Sequence, residues 1–574
     1  MKIPANQQLP TANYSPYLQK SFALKKTLLS LLLLGAATAL FAQQDTAKKS
    51  IDLGQIHGNF QFDFQYYNPD SLIGAPVVPE KIRSNGFLNL FYSRGNFTAG
   101  ARLESYLPVL QGFDPRYKDI GIANRFASYE YEGLHITAGN FYEQFGSGMV
   151  LRAYWEPNLG VDNSFDGMRV KYNPIPGIYT KVLIAKQRTF FDRSPGIVRG
   201  ADGEINLNEL IAKWSNKQFK LTVGASGVSI YQKDEDPIYI LPENMAAFGG
   251  RISVGYGKFN FYSEYSYKLN NPSAVNGYIY RPGQSLLVTA SYSQKGFGVL
   301  LGVKRLDNMD YRSDRTATLT NLTTNFLPAL TKQHTYNLAA TIYPYGTLPN
   351  GEMAAQGEIS YKIKKGTKLG GKYGTDLILN FSAVNDIERT AADNDTFGYR
   401  SNFLAISKTR LFRDINIEIT HKWNKNLKTN LMYMYFEYDK DIVQFQNYTT
   451  TVYGLVKGHI IVADFNYKLT KKAALHVELQ NLYTKQDFGS WAMALVELSL
   501  APHWFFSVID QYNYGNPDKA QRIHYVTGTV TYIRGPHRLM ATYGRQRAGI
   551  FCVGGVCRNV PASNGLTVSV TTSF

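Results

Sequence analysis

Alternation of polar and apolar residues with a period of two is the feature that most restricts the fold of this chain. It occurs in NFQFDFQY from Asn59, in KFNFYSEYSYK from Lys258, in INIEITHKW from Ile415 and in LHVELQ from Leu475. Successive side chains of a β-strand point to opposite faces of the sheet. The sequence therefore predicts an all-β protein whose strands each have one apolar and one polar face.

Strands of this kind are found in two architectures. A soluble sandwich buries the apolar face, whereas a membrane barrel turns that face to lipid and keeps the polar face in its lumen. The chain contains 41 Tyr and 33 Phe, and many of them occupy apolar positions near strand ends. Aromatic girdles of this type flank the lipid-facing band of membrane barrels. The composition therefore favours the barrel.

The spacing of the strands also favours a barrel, because short turns alternate with longer connections. Short turns are predicted at 93–96, 131–134, 173–177, 215–218, 424–428 and 534–538, and longer connections at 107–121, 146–164, 189–202, 269–281, 385–410 and 549–562. A closed single-chain barrel needs an even number of strands, so about 25 strand-like segments, with one more placed near 309–326, predict about 26 strands, within a range of about 22–26.

The N-terminus has the pattern of a secretory signal peptide. Lys25 and Lys26 precede an apolar stretch from Leu28 to Ala42, and small residues lead to a cleavage site near Ala42. An N-terminal membrane anchor is the alternative, although the stretch is short for a span. We therefore predict a signal peptide at 1–42 and one barrel domain at 43–574, without internal repeats.

The charge of the mature chain points to particular classes of partner. Residues 1–42 contain four lysines and no acidic residue, so their removal lowers the formal net charge from +17 to +13. A basic excess on an exported protein fits the anionic head groups of membrane lipids, anionic solutes or an acidic partner. We expect no binding of nucleic acid.

The C-terminal sequence GLTVSVTTSF places Leu566, Val568, Val570 and Phe574 on one face of a strand. In this respect the chain resembles bacterial outer-membrane barrel proteins, whose last strand ends in an aromatic residue that the assembly machinery recognises. The resemblance implies that Phe574 is an assembly signal, that the barrel-assembly machinery is a partner, and that the protein is located in the outer membrane of a Gram-negative cell.

A barrel of this size raises the question of what closes its lumen. More than about 20 strands enclose a space too wide for wall side chains to fill. Few residues separate Ala42 from the first predicted strand, which leaves no room for the globular N-terminal plug of TonB-dependent transporters. We therefore expect loops that fold inward, or an envelope protein that docks on the barrel, to block the lumen.

The best candidate for an inward loop is the stretch GNFYEQFGSGMVLRAYWEPNLGVDNSFDG at 139–167. The alternation predicts that Glu143 and Arg169 point into the lumen, and Gly146 and Gly148 permit a sharp bend off the wall. The alternative is an ordinary outer loop with solvated charges, and the sequence leaves both open. Six residues are predicted to hold the loop or line the pore: Glu143, Arg152, Asp162, Asp166, Arg169 and Lys171.

The cysteines and histidines give little sign of catalysis. Cys552 and Cys557 are the only cysteines, and the two glycines between them allow a reversal that brings the sulfurs together. An oxidising compartment favours a disulfide bond, and two free thiols are the alternative. No histidine pair has a metal-ligand spacing, and no G-x-S-x-G motif occurs. We expect no catalytic residues, no metal, no cofactor and no enzymatic activity.

Two stretches, 139–167 and KKGTKLGGKYGT at 364–375, resemble outer-membrane barrel proteins of the Bacteroidota that form a family of unknown function. The resemblance implies the fold and the location but no activity. The sequence as a whole predicts a gated or plugged, porin-like channel for solutes or exported material. The alternative is a barrel that conducts nothing and docks other envelope proteins, and a surface enzyme is a distant third.

Overall fold

The barrel is a single closed antiparallel sheet of 24 strands in a computed structural model that describes residues 53–574. Each strand pairs with the next along the chain, and the last pairs with the first. The barrel strands are β1 (Gln55–Tyr67), β2 (Ile82–Arg94), β3 (Phe97–Tyr106), β4 (Ile120–Tyr131), β5 (Leu134–Phe141), β6 (Phe165–Tyr172), β7 (Ile178–Thr189), β8 (Asp192–Asn206), β9 (Phe219–Tyr231), β10 (Asn244–Tyr256), β11 (Phe259–Lys268), β12 (Gly283–Gln294), β13 (Phe297–Asp307), β14 (Gly351–Ile363), β15 (Thr375–Ile387), β16 (Ile406–Lys422), β17 (Leu427–Asp439), β18 (Leu455–Lys468), β19 (Ala473–Thr484), β20 (Trp491–Leu500), β21 (Trp504–Tyr512), β22 (His524–Arg534), β23 (His537–Gln546) and β24 (Ser563–Ser573).

Helical elements are short and lie in the connections. The α-helices are α1 (Leu207–Leu210), α2 (Asn337–Thr341) and α3 (Lys440–Phe445), and single 3₁₀ turns occur at Ser71–Ile73, Pro115–Tyr117, Ala212–Trp214, Ala274–Asn276, Asp395–Phe397 and Lys519–Gln521. No helix within residues 53–574 is long and apolar enough to cross a membrane. Four short strand pairs lie outside the barrel wall: Gln144–Phe145 with Leu151–Arg152, Trp155–Glu156 with Val161–Asp162, Thr390–Ala391 with Tyr399–Arg400, and Gly549–Val553 with Val556–Val560.

The barrel closes between β24 and β1. Beyond the paired strands, the backbone of Gly58 donates to the carbonyl of Phe574 at 2.8 Å and accepts from its amide at 3.0 Å. Closure confirms the predicted even-numbered barrel, and 24 strands lie within the predicted range. The central estimate of 26 was too high. The strand predicted near 309–326 does not form, because that segment leaves the wall and enters the lumen.

The connections divide between the two ends of the barrel as the sequence indicated. All the predicted short turns lie at one end, and the other end carries the longer connections. One prediction was wrong, since the stretch 189–202 is not a loop. Phe190 and Phe191 form a tight turn there, and the following residues pair with β7 as strand β8. The predicted signal peptide lies outside the described residues.

The outer surface of the wall is apolar and carries aromatic girdles. Strand β21 shows the alternation clearly: Trp504, Phe506 and Val508 are exposed on the outside, whereas Phe505 and Ser507 face the lumen and are half-buried. Bands of this kind are suited to lipid contact. Exposed aromatic side chains collect near the short-turn end at Tyr129, Tyr131, Tyr172, Tyr256, Phe259, Tyr361, Trp423, Tyr467 and Trp504.

A charge introduced at mid-strand tests this orientation. We predict that Val508→Arg destabilises the assembled barrel by about 2–4 kcal/mol, the cost of an arginine on the lipid face near the bilayer midplane. Ser507→Arg is the matched control, since its side chain enters the lumen opposite Glu497. Heat-modifiable migration after urea titration measures both. Equal destabilisation by the two variants would contradict the assignment of the faces.

Candidate functional site

Three connections from the long-loop end fill the lumen. We call residues 142–164 the first plug segment, residues 308–350 the second plug segment and residues 547–562 the plug hairpin. Side chains of the first segment, including Phe145, Val150 and Leu151, are fully buried against lumen-facing residues of the wall. The part of the lumen around these side chains is therefore packed.

The first plug segment leaves the wall through two glycines with left-handed backbone. Gly146 has φ +52° and Gly148 has φ +101°. The amide of Ser147 then donates to the Glu264 carboxylate of β11 at 2.7 Å. A Cβ at position 146 would lie 2.7 Å from the same carboxylate. Glycine is therefore needed both for the bend and for the close approach to β11.

The second plug segment is fastened by ion pairs to the nearby wall strands β14 and β16. Lys332 Nζ lies 2.9 Å from the carboxylate of Glu358 in β14 and 3.4 Å from that of Glu418 in β16. His334 Nε2 lies 2.6 Å from the Asp414 carboxylate, also in β16. These wall residues face the lumen, so the segment crosses the interior.

Apolar side chains of the second plug segment complete a core inside the barrel. Leu338, Tyr343 and Tyr345 are buried, and the amide of Leu338 donates to Gln480 of β19 at 2.9 Å. The wall contributes buried residues from β14 to β22, among them Phe412, Met434, Phe436, Tyr438, Ile460 and Leu482. This half of the lumen is packed like the interior of a soluble domain.

The plug hairpin packs on the second plug segment. The backbone carbonyl of Gly555 accepts from the amide of Thr347 at 3.0 Å, and that of Gly554 accepts from Ala329 at 3.3 Å. A disulfide bond joins Cys552 and Cys557 across the hairpin. The sequence indicated this bond, but not that the hairpin faces inward.

Glu143 lies at the centre of a cationic cluster under the first plug segment. Its carboxylate is 3.2 Å from Arg169, 2.9 Å from Lys171 and 3.0 Å from Lys181. Arg169 also donates to the hydroxyl of Thr137 at 3.0 Å. Burial raises the pKa of Glu143, but the charges of Lys181 and Lys171 outweigh burial and hold the pKa below its ordinary value.

Asp162 anchors the other end of the first plug segment through a fully buried network. Its carboxylate pairs with Arg102 of β3 and Arg188 of β7, and both arginines also pair with Glu104. The hydroxyl of Tyr142 donates to Asp162 at 3.1 Å. Burial raises the pKa of Asp162, yet the charges of Arg188 and Arg102 reverse this and lower it. Two buried acids and two buried arginines thus balance one another's charge.

Arg152 forms no ion pair among the described residues and instead holds the two plug segments together. Its guanidinium carbon lies 5.1 Å from the ring centre of Tyr154 and 4.0 Å from that of Phe326. Its backbone amide donates to Thr324 at 2.8 Å. The sequence placed Arg152 in the pore loop, and the structure shows a cation–π contact within the plug.

Asp166 does not line the lumen, which corrects the sequence-based expectation. Arg169 and Lys171 point inward, so the alternation of β6 turns Asp166 outward with Met168, whose side chain is 50% exposed. Its carboxylate lies 2.6 Å from Arg193 and 3.6 Å from Arg125, both of which are exposed. It belongs to the outer surface near the long-loop end.

The sequence analysis missed the second plug segment, and it missed one cluster that could hold a metal ion. Asp464, His476 and Glu478 bring ligand atoms within 4.8 Å of one another. These atoms already have protein partners, since Asp464 accepts from Tyr336, Asn466 and His476, and Glu478 accepts from Gln480. The cluster is therefore satisfied as a hydrogen-bond network that holds Tyr336 of the plug.

Two of the cavities between the plug and the wall have linings that mix charged, polar and apolar side chains. The larger, of about 630 Å³, lies along β23, β24 and β1, and we call it the seam cavity. The smaller, of about 440 Å³, lies between β1–β6 and the first plug segment, where Arg169 and Trp155 line it. The arrangement thus offers charged, water-accessible space beside a closed plug.

Residues 24–574 match the profile of a family described as a family of unknown function, DUF6029. The chain belongs to this family. No curated protein matches it in sequence. The match agrees with the resemblance to a family of unknown function, and it assigns no activity to members such as this one.

Several solved membrane barrels resemble the DUF6029 chain at low similarity. A variant of the ferric enterobactin receptor PfeA from Pseudomonas aeruginosa has a TM-score of 0.40 and 11% identity, covering 92% of this chain and 81% of its own. The P pilus usher PapC translocation pore has a TM-score of 0.38 and 7% identity, covering 90% and 99%. The outer-membrane protein OpdK from Pseudomonas aeruginosa has a TM-score of 0.31 and 9% identity, and the match covers 70% of this chain and 97% of OpdK.

Removing the Asp162 charge tests the buried network. We predict that Asp162→Asn costs about 3–5 kcal/mol of stability, because it leaves two buried arginines with one acid between them. Glu80→Gln is the control, since it breaks an exposed pair with Lys118 worth about 0–1 kcal/mol. Thermal unfolding of the purified barrel measures both. Equal stability of the two variants would show that the network does not anchor the plug.

Acid should release the same anchors only at low pH. The lowered pKa values of Glu143 and Asp162 mean that their contribution to stability is complete above the ordinary carboxyl range and is lost as the pH falls through the lowered values. We therefore predict constant thermal stability from about pH 8 to about pH 5, and a loss below about pH 4. In Asp162→Asn the acid-induced loss should be smaller. A transition between pH 5 and pH 7 would contradict the assignment.

Proposed function

We propose that this protein is an outer-membrane channel that its own plug segments close. The supporting observation is that inward loops pack in the lumen while cavities lined partly by charged side chains persist beside them. The apolar outer band with its aromatic girdles supports insertion in a membrane. The predicted signal peptide supports export, and the outer membrane of a Gram-negative bacterium, with Bacteroidota as the proposed source, fits both.

The way the plug is fastened supports a closure that can be reversed. The first plug segment is tied to the wall by the ion pairs of Glu143 and Asp162. Buried ion pairs contribute less stability than apolar packing of the same volume, because both charges lose water. If the plug moved and water entered, the same charges would be solvated. The barrel wall, which is held by backbone hydrogen bonds, would remain intact.

A second candidate function is a barrel that conducts nothing and docks another envelope protein. The observation that favours it is the apolar core around Leu338 and Tyr345, which packs the second plug segment firmly against β14–β22. In either role, membrane lipids and the barrel-assembly machinery are the proposed partners. We propose no catalytic activity and no cofactor.

Deletion of each plug segment separates the two candidates. We predict that replacing 309–349 by a short Gly/Ser/Asn turn raises single-channel conductance in planar bilayers several-fold, because this segment fills the larger part of the lumen. Deleting 146–162 should raise conductance less, because the second segment remains. The control is a shortened loop tip at 447–452, which is largely exposed.

The outcome of these deletions has a direct consequence for function. Heat-modifiable migration first establishes that each variant is assembled. Conductance of both plug variants at the wild-type level would reject the channel, and docking would then be favoured. Proteins that co-purify with the wild type after mild detergent extraction, and are absent with the 309–349 variant, would support the docking role.

A further inference from the structure

The seam cavity carries an excess of positive charge on its walls. Its charged lining consists of Arg538, Arg547 and Arg558 against a single acid, Asp63. Asp63 is already engaged, because it accepts from Gln61 at 2.8 Å and from Ser569 at 2.6 Å. With three arginines and one carboxylate, the lining has a formal excess of two positive charges.

Arg558 of the plug hairpin is the least satisfied of the three arginines. Its guanidinium carbon lies 4.0 Å from the ring centre of Phe113. Its Nε and Nη1 atoms are buried and have no hydrogen-bond partner among the described residues. Burial lowers the pKa of Arg558 to about 10, and only the nearby Tyr67 opposes this effect. Two donor groups are thus desolvated in a residue that lines the cavity.

Arg547 has partners, but they are all neutral. It is 9% exposed and donates to Gln511 at 2.8 Å, to the carbonyl of Ala548 at 3.0 Å and to the hydroxyl of Thr341. Burial lowers the pKa of Arg547 to about 10. No carboxylate within residues 53–574 forms an ion pair with Arg547 or Arg558.

This arrangement contrasts with the network at the other side of the plug. There, Arg102 and Arg188 are buried with two acids that balance them. A buried cation without a counter-ion is costly, and proteins normally pair it or bind an anion next to it. Guanidinium groups present paired N–H donors that match carboxylate and phosphate oxygens.

We propose that the seam cavity binds a small polar solute through an oxyanion group, carboxylate or phosphate, held between Arg547 and Arg558. The rest of the lining offers amides and hydroxyls to the solute beside apolar side chains such as Ile550 and Phe551; the polar groups belong to Gln61, Gln65, Gln111, Thr567, Ser569 and Thr571. A volume of about 630 Å³ accommodates a solute of several hundred daltons. The proposal names the chemistry of the solute for the proposed channel. Transport of the solute rests on the proposed function, whereas its binding does not.

The test measures binding to the full-length barrel in detergent, with citrate and inorganic phosphate as probes and sucrose as a neutral control. Citrate should raise the unfolding temperature of the wild type, because a ligand that binds only the folded state stabilises it. Arg558→Gln should lower citrate affinity by about tenfold or more in calorimetric titration, as expected for loss of a charge-assisted hydrogen bond. Arg558→Lys keeps the charge but loses the paired donors, so its affinity should be intermediate.

Stability without ligand separates a binding role from a structural one. Arg558→Gln removes a desolvated charge that has no partner acid, so its unfolding temperature should equal or exceed that of the wild type. Lys364→Gln, which removes one positive charge from an exposed turn, is the matched control and should bind citrate like the wild type.

Two results would overturn the inference. The first is an unfolding temperature of the wild type that neither citrate nor phosphate changes. The second is citrate binding by Arg558→Gln equal to that of Lys364→Gln. Binding in detergent does not depend on conductance, so a barrel that binds citrate but conducts nothing would reject the channel alone. Binding of phosphate but not citrate would identify a phosphorylated solute as the better match.

Discussion

Closure of the sheet between β24 and β1 is the constraint on which the rest of the structure depends. In a membrane every backbone donor and acceptor needs a partner within the protein, and a closed sheet provides one for each strand. Closure of 24 strands has a second consequence. The circumference is so large that wall side chains cannot meet at the centre. A lumen of this width either stays open to water or is filled by chain, and here connections from one end fill it.

The wall of this barrel has polar side chains inside and apolar side chains outside, which is the reverse of a soluble protein. The lipid-facing residues of each strand must be apolar. The residues that alternate with them face the lumen and are mostly polar, so the plug must supply hydrogen-bond and charge partners for them. It does so in two ways. Around Glu143 and Asp162 the plug supplies acids to wall cations. Around Leu338 it supplies apolar side chains to a part of the wall whose lumen face is itself apolar. The first kind of contact can be exchanged for water, whereas exposure of the second would be costly.

The sequence predicted what depends on local pattern and missed what depends on distant contacts. Alternation was enough to place Glu143 and Arg169 on the lumen side, where the structure brings them together, and the same alternation should have excluded Asp166. Two glycines at 146 and 148 indicated the bend. The part of the second plug segment near 309–326 was predicted to be a strand, because an even strand number and the alternation of short turns with long connections required one more. The segment's partners Glu358, Asp414 and Gln480 are distant in sequence, and only the closed barrel brings them near.

Charge balance distinguishes the arginines that hold the plug from those that remain for another role. Arg102 and Arg188 are buried in a network whose acids neutralise them, so their positive charge is used to hold the first plug segment against the wall. Arg547 and Arg558 are similarly withdrawn from water, yet their partners are neutral groups and an aromatic ring. Structural stability alone would favour neutral side chains at these two positions. Their placement around a cavity that follows the barrel seam is accounted for when an anionic solute completes the charge balance.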